Sequence, residues 1–145
     1  YRPYFPVPGS LRDADWLLER FPQVRMATGP LAPHMDSCRL LVLDHNGTTL
    51  LEALAANIPT ILFWRKDFWP LTPEAEELRE ILAKAGIWHS TPRQAATKAA
   101  EVWTDPRAWW ATPAVQNARS AYCAAQAWTV PGSPSPFWIK TLKSL

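Results

Sequence analysis

The feature that most constrains the fold is a segment in which two apolar runs of strand length flank a helical stretch, LLVLDHNGTTLLEALAANIPTILFW at 40–64. The first run, RLLVLD, shows no polar alternation, which is typical of a central parallel strand covered on both faces. We predict a helix at 48–57, at whose end Asn57 can take a left-handed cap conformation and which Pro59 prevents from continuing. The second run, PTILFW, then gives a parallel strand–helix–strand unit.

The rest of the chain repeats this alternation of strands and helices. We predict strands at 1–5, 23–28, 39–44, 59–64 and 87–90, and helices at 10–21, 33–38, 48–57, 73–85, 92–103 and 105–128, the last broken near Pro113. This order predicts an α/β fold, a Rossmann-like doubly wound parallel sheet over residues 1–130. A Pro/Ser-rich linker and a terminal helical turn are predicted at 131–145.

Composition excludes several classes of function. The 145 residues are 48% apolar and 19% charged, which predicts a folded domain, and a net charge of +2 without a basic block gives no reason to expect nucleic acid as a partner. No apolar run approaches the roughly 20 residues that span a bilayer. The opening, YRPYFPVPGS, does not read as a signal peptide, and two distant cysteines predict reduced thiols in a cytoplasmic protein.

A polar cluster, Asp44 to Thr49, lies where the first apolar run turns into a helix. In doubly wound sheets, ligands bind where the carboxyl ends of strands meet helix N-termini. Gly47 permits a close backbone approach, and the first helical N–H groups with the hydroxyls of Thr48 and Thr49 favour an anion such as phosphate. Glu52, one turn further on, offers a carboxylate that suits the vicinal hydroxyls of a ribose.

A purely structural interpretation of this cluster stays open. Asn46-Gly47 with two threonines also reads as a turn and an N-cap, with Glu52 closing a capping box. The sequence contains neither a Walker-type Gly-Lys-Ser/Thr nor a GxGxxG motif. No catalytic triad can be assembled from these spacings, so the catalytic residues stay unassigned, and we predict no metal and no cofactor. His45 and Arg65 are further candidate ligand contacts.

The segments DHNGTTLLEALAANIPTILFW, AGIWHSTPRQAA, VWTDPRAWW and ARSAYC, together with the loop around Trp69, resemble the C-terminal half of a bacterial family of surface-polysaccharide (O-antigen-type) transferases related to Kdo transferases. This resemblance implies the donor-binding domain of a GT-B glycosyltransferase. It further implies that Asn46, Gly47, Thr48 and Thr49 hold the phosphate of a nucleotide-sugar donor and that Glu52 holds its ribose. The donor it suggests is a CMP-sugar such as CMP-Kdo.

The same resemblance implies that the chain begins partway through a longer polypeptide. A glycan or lipid-linked acceptor would then bind through an N-terminal domain, and the full-length protein would associate peripherally with the inner face of the cytoplasmic membrane. Two alternatives remain from the sequence. One is a non-catalytic Rossmann-like module that binds a protein partner through a Trp/Pro-rich surface and the Pro-rich tail around VPGSPSP; an exposed apolar patch of Trp109, Trp110 and Trp128 would favour it. The other is half of a GT-B-type sugar epimerase.

Overall fold

The computed structural model describes residues 1–2 and 13–127, which divide into two compact units, Tyr1–Ser37 and Cys38–Leu145. The predicted helix start at Ser10, most of the strand at 1–5, Trp128 and the linker and terminal turn at 131–145 lie outside the described residues.

The described residues of the first unit include two short helices, α1 (Asp13–Arg20) and α2 (Ala32–Ser37). The strand predicted at 23–28 does not form a regular strand in the described part of this unit. Its backbone is nevertheless hydrogen-bonded: the Tyr1 amino group donates to the Arg25 carbonyl (2.7 Å), and the Ala27 N–H donates to the Tyr1 carbonyl (2.8 Å). This is the hydrogen-bonding pattern of two parallel strands. Both bonds involve Tyr1, and bonds to one residue do not define a strand.

In the second unit, residues 38–127 are described and contain three strands, β1 (Leu41–Leu43), β2 (Thr60–Phe63) and β3 (Trp88–His89). Helix α3 (Thr48–Ala55) connects β1 to β2, and α4 (Pro73–Lys84) connects β2 to β3 after a 3₁₀ turn at Lys66–Phe68. The chain continues through α5 (Pro92–Val102), α6 (Pro106–Trp110) and α7 (Pro113–Gln126). Pro113 separates α6 from α7, which confirms the predicted break.

The strands form a parallel sheet in the order β1–β2–β3, with Leu41 opposite Thr60 and Leu62 opposite Trp88. Within the described sheet the central strand is β2, which has a neighbour on each side, whereas the first apolar run, predicted as a central strand, has one. The exposure agrees with this order: Val42 in β1 is 48% exposed, whereas Ile61 and Leu62 in β2 are fully buried.

Helices cover both faces of β2. Leu62, together with Trp64 just beyond the strand, packs on one face into a cluster with residues of α3, α4 and α7. Ile61 points to the other face and packs with Ala95 and Val102 of α5. The described part of the second unit is therefore an α/β unit built on a small three-stranded parallel sheet, with its main core on the α3–α4–α7 side.

Asn57 joins the end of α3 to the C-terminal helices. Its φ of 57° confirms the predicted left-handed end of this helix. The Asn57 side-chain oxygen accepts hydrogen bonds from Trp110 Nε1 (2.8 Å) and Gln116 Nε2 (3.2 Å). Arg119 on α7 donates to the Leu54 carbonyl at the same end of α3 (2.8 Å). These bonds hold α7 beside α3, and α7 thereby contributes to the cavity described next.

Candidate functional site

The loop between β1 and α3 presents the start of a helix without a side-chain cap. Gly47 is the N-cap residue, and its backbone is extended (φ −132°, ψ −176°). The capping box considered from the sequence is not formed, because Gly47 has no side chain and the third helical residue is Leu50. No side chain caps the first N–H groups of α3, so these groups are available to bind an anion.

His45 is fixed against this loop. Its Nδ1 donates a hydrogen bond to the Asp44 carboxylate (2.9 Å), and its ring centroid lies 6.4 Å from that of Trp69. A Cβ built on Gly47 would lie only 2.8 Å from His45 Cδ2, so the imidazole packs directly on the glycine. The structure thus gives Asp44 the role of orienting His45 beside the start of α3.

A cavity of ≈ 340 Å³ lies between α3, α4 and α7, near the end of β2; we call it the α3–α4–α7 cavity. Ligand-binding pockets in proteins have volumes from about 300 Å³ upward. Polar and apolar side chains share its surface. Its lining residues are Asn46, Gly47, Thr48, Leu51, Trp64, Leu71, Ala75, Leu78, Arg79, Leu82, Tyr122 and Gln126.

The predicted site residues are distributed unevenly around this cavity. Asn46, Gly47 and Thr48 line it, whereas Thr49 and Glu52 follow on α3 outside its lining. Glu52 is exposed to solvent and does not point into the core.

Arg65 is engaged within its own loop. It donates to the Asp67 carboxylate (3.1 Å), and its guanidinium lies 4.4 Å from the centroid of the Phe68 ring. The structure therefore brings the first part of the predicted cluster to the cavity and leaves Arg65 apart from it.

Arg79, which the sequence analysis did not single out, is the most unusual residue of the site. It is 2% exposed and lies on α4, where its Nε donates to Glu76 (2.8 Å) and its Nη2 donates to Glu80. Its guanidinium stacks on the Trp88 ring at 4.1 Å. The sequence contained one indication that Arg79 is buried, because Arg79 lies on the helical stripe of Leu78 and Leu82. That indication is weak, since arginines on apolar stripes usually extend their charged end to solvent.

Two carboxylates and a lysine surround this buried guanidinium. Lys66 Nζ lies 3.4 Å from Glu80 and 3.7 Å from Glu76. The hydrogen bond from Arg79 lowers the pKa of Glu80, which keeps that carboxylate ionised. On the other side of the cavity, burial raises the pKa of Tyr122, so its phenol stays neutral and can donate or accept a hydrogen bond.

Within residues 1–2 and 13–127, no group of three or more His, Cys, Asp or Glu side chains is placed to hold a metal ion. None of the helices described there is both long and apolar enough to cross a bilayer.

The site is thus a cavity beside an uncapped helix start in an α/β unit. A family comparison shows that the protein is of the transferase class. The family whose model matches is the LIC12162 family transferase, and the match covers residues 1–142, so the chain belongs to this family. Searches of curated proteins and of solved structures gave no match.

Proposed function

We propose that the chain forms the nucleotide-sugar donor site of a glycosyltransferase in bacterial surface-polysaccharide synthesis, with a Rossmann-like domain of the GT-B type. Membership of a transferase family supports the general class of reaction. The observation that carries the more specific proposal is the α3–α4–α7 cavity, which has the start of α3 and a buried arginine on its lining. Uncapped helical N–H groups and a guanidinium are both donors suited to phosphate.

The proposed contacts follow the order of the loop. Asn46, Gly47, Thr48 and Thr49 hold the donor phosphate through backbone N–H groups, an amide and two hydroxyls. The exposed carboxylate of Glu52 lies one helical turn further along, where it can accept hydrogen bonds from the ribose diol. Donors already aimed at the phosphate would stabilise the charge that develops when the nucleotide departs.

The remaining parts of the proposal concern the ligands. We propose a CMP-sugar such as CMP-Kdo as donor, with His45 as a contact at the edge of the site and Arg65 able to approach after releasing Asp67. The acceptor would be a glycan or a lipid-linked glycan bound by a further domain, at the cytoplasmic face of the membrane. Catalysis would rest on positioning and on stabilisation of the leaving phosphate.

The test is titration of the ¹⁵N-labelled chain with CMP, UDP and GDP, followed by NMR. We expect CMP to shift the Gly47 and Thr48 amide resonances and the Glu52→Ala substitution to weaken binding about tenfold, as loss of a charged hydrogen bond would do. Thr48→Ala should weaken it less. Glu77→Ala is the matched control: it removes an exposed carboxylate from α4, outside the proposed site, and should leave the affinity unchanged. The proposal fails if no nucleotide shifts the Gly47 resonance.

For the alternative of a protein-binding module, the structure describes two of the three tryptophans of the expected apolar patch. Trp110 is 4% exposed and donates to Asn57, and Trp109 is half-buried against both core clusters. These two tryptophans therefore do not provide the exposed apolar patch that would favour that alternative, and Trp128 lies outside the described residues. The GT-B-type epimerase would share the donor site, and detection of sugar transfer to an acceptor separates it from a transferase.

A further inference from the structure

Three buried N–H donors without an acceptor lie together beside the cavity. Within the described part of the chain, Arg79 Nη1, Trp64 Nε1 and Trp88 Nε1 are fully buried and have no hydrogen-bond partner. The Trp88 ring lies 4.1 Å from the Arg79 guanidinium, and its centroid lies 5.7 Å from that of Trp64. Buried donors are almost always hydrogen-bonded in native proteins, so three unpaired ones in a single cluster indicate an acceptor from elsewhere.

Two of these three side chains, Arg79 and Trp64, line the α3–α4–α7 cavity. We infer that this cavity binds an oxyanion, a carboxylate or a phosphate, whose oxygens accept hydrogen bonds from Arg79 Nη1 and Trp64 Nε1. This subsite lies in the same cavity as the loop contacts proposed for the donor phosphate at Asn46–Thr49, but it uses different hydrogen-bond donors. It rests on the proposed function in one respect, namely that the molecule carrying the oxyanion is taken to be the donor.

The chemistry of the lining favours a single charged group. A guanidinium binds carboxylate and phosphate through directional N–H bonds, and a lysine at the same position would not reproduce that geometry. Leu51, Leu78 and Leu82 supply an apolar surround that excludes water and strengthens such bonds. Because Nη1 and Nε1 are buried, both side chains must turn slightly toward the cavity for a ligand oxygen to reach them.

Glu76 and Glu80 determine how strongly the site attracts an anion. Both accept hydrogen bonds from Arg79, so its charge is largely neutralised in the free protein. A ligand therefore competes with these carboxylates for the guanidinium. Removing the charge of Glu80, whose side chain is 51% exposed, should free Arg79 for the ligand without disturbing the core.

The experiment uses the full chain and four probes: inorganic phosphate, glucuronate, CMP and uncharged cytidine. Affinities are measured by calorimetry, and the indole N–H resonance of Trp64 is followed by NMR. We expect the oxyanion-bearing probes to shift that resonance and cytidine not to shift it. A stronger response to glucuronate than to phosphate would identify a sugar carboxylate as the source of the oxyanion, and the reverse would identify a phosphate.

Three variants test the donors. Arg79→Met keeps the length of the side chain against Trp88 and should weaken oxyanion binding about tenfold or more, while Trp64→Phe keeps an aromatic ring without the N–H and should weaken it about fivefold. Glu80→Gln should instead strengthen binding severalfold. If Arg79→Met fails to fold, Glu80→Gln and Trp64→Phe decide the question. Unchanged affinity in the folded variants, or an unshifted Trp64 resonance, would overturn the inference.

The outcomes also separate this inference from the proposed function. Nucleotide binding that survives Arg79→Met unchanged leaves the donor site standing and refutes the oxyanion subsite. Binding of phosphate or glucuronate through Arg79, without binding of any nucleotide, supports the subsite and refutes the nucleotide-sugar function.

Discussion

Gly47 illustrates how a single residue shapes the site. Its backbone angles are accessible to any amino acid, so conformational freedom is not the reason for a glycine here. The reason is space, because a Cβ would lie 2.8 Å from His45 Cδ2 and 2.9 Å from His45 Nε2. The imidazole can lie over the start of α3 only when the N-cap residue lacks a side chain.

We therefore predict that Gly47→Ala displaces the His45 ring rather than unfolding the loop. Since the His45 side chain is 40% exposed and can move, the cost in free energy of unfolding should stay below about 1 kcal/mol. The His45 ring resonances and a urea titration provide the measurements. In a His45→Ala background, the same Gly47→Ala change should cost nothing; an equal loss in both backgrounds would contradict the explanation.

Single residues also show what the sequence could predict and what it could not. The left-handed conformation of Asn57 and the start of α4 at Pro73 were predicted, because both depend on residues within a few positions along the chain. The burial of Arg79 depends on Trp88 and on the cavity, which are brought to it only by the tertiary fold. Local patterns do not contain that information.

At the scale of elements, the helices begin where local signals predicted. Thr72 and Thr91 accept hydrogen bonds from the backbone of the third residue of their helices, and Pro73 and Pro92 follow them at the first helical position. The strands were predicted less accurately. Their lengths and their order depend on pairing between segments, so the run at 39–44 shortened to Leu41–Leu43 and became a strand with a single described neighbour.

Helix α6 provides an element-scale prediction. Asp105 caps it by accepting a hydrogen bond from the Ala108 N–H at 3.0 Å. Replacing Asp105 by Ala should lower the free energy of unfolding by about 1 kcal/mol, as loss of an N-cap usually does. Asp105→Asn retains an accepting oxygen and is the matched control. Chemical denaturation of the two variants measures the difference, and equal losses would show that charge, rather than the cap, is responsible.

At the scale of the molecule, β2 is the strand on which both core clusters meet. Leu62 is fully buried on the α3–α4–α7 side, and Ile61 is fully buried on the α5 side. The family match covers residues 1–142 and thus includes both compact units. The sequence predicted the α/β class correctly because apolar strand runs and helical stripes alternate along the chain. The larger, doubly wound sheet with five strands stays a prediction.

The difference in burial between β2 and β1 should appear as a difference in the stability lost when a side chain is shortened in each strand. Leu62→Ala should lower the free energy of unfolding by about 2–5 kcal/mol, since it leaves a cavity in the main core. Val42→Ala is the comparison in β1, where the side chain is 48% exposed, and it should cost less than about 1 kcal/mol. Urea denaturation of both variants tests the arrangement. Similar losses would be inconsistent with β2 as the buried centre of the sheet.

The order of the sheet has a consequence for how this unit folds. Among the described strands, each pairs with the strand that follows it in the sequence, so β1 meets β2 across α3, and β2 meets β3 across the 3₁₀ turn and α4. Pairing strands that are neighbours along the chain closes a shorter loop than pairing distant ones, so each step of sheet formation costs less chain entropy.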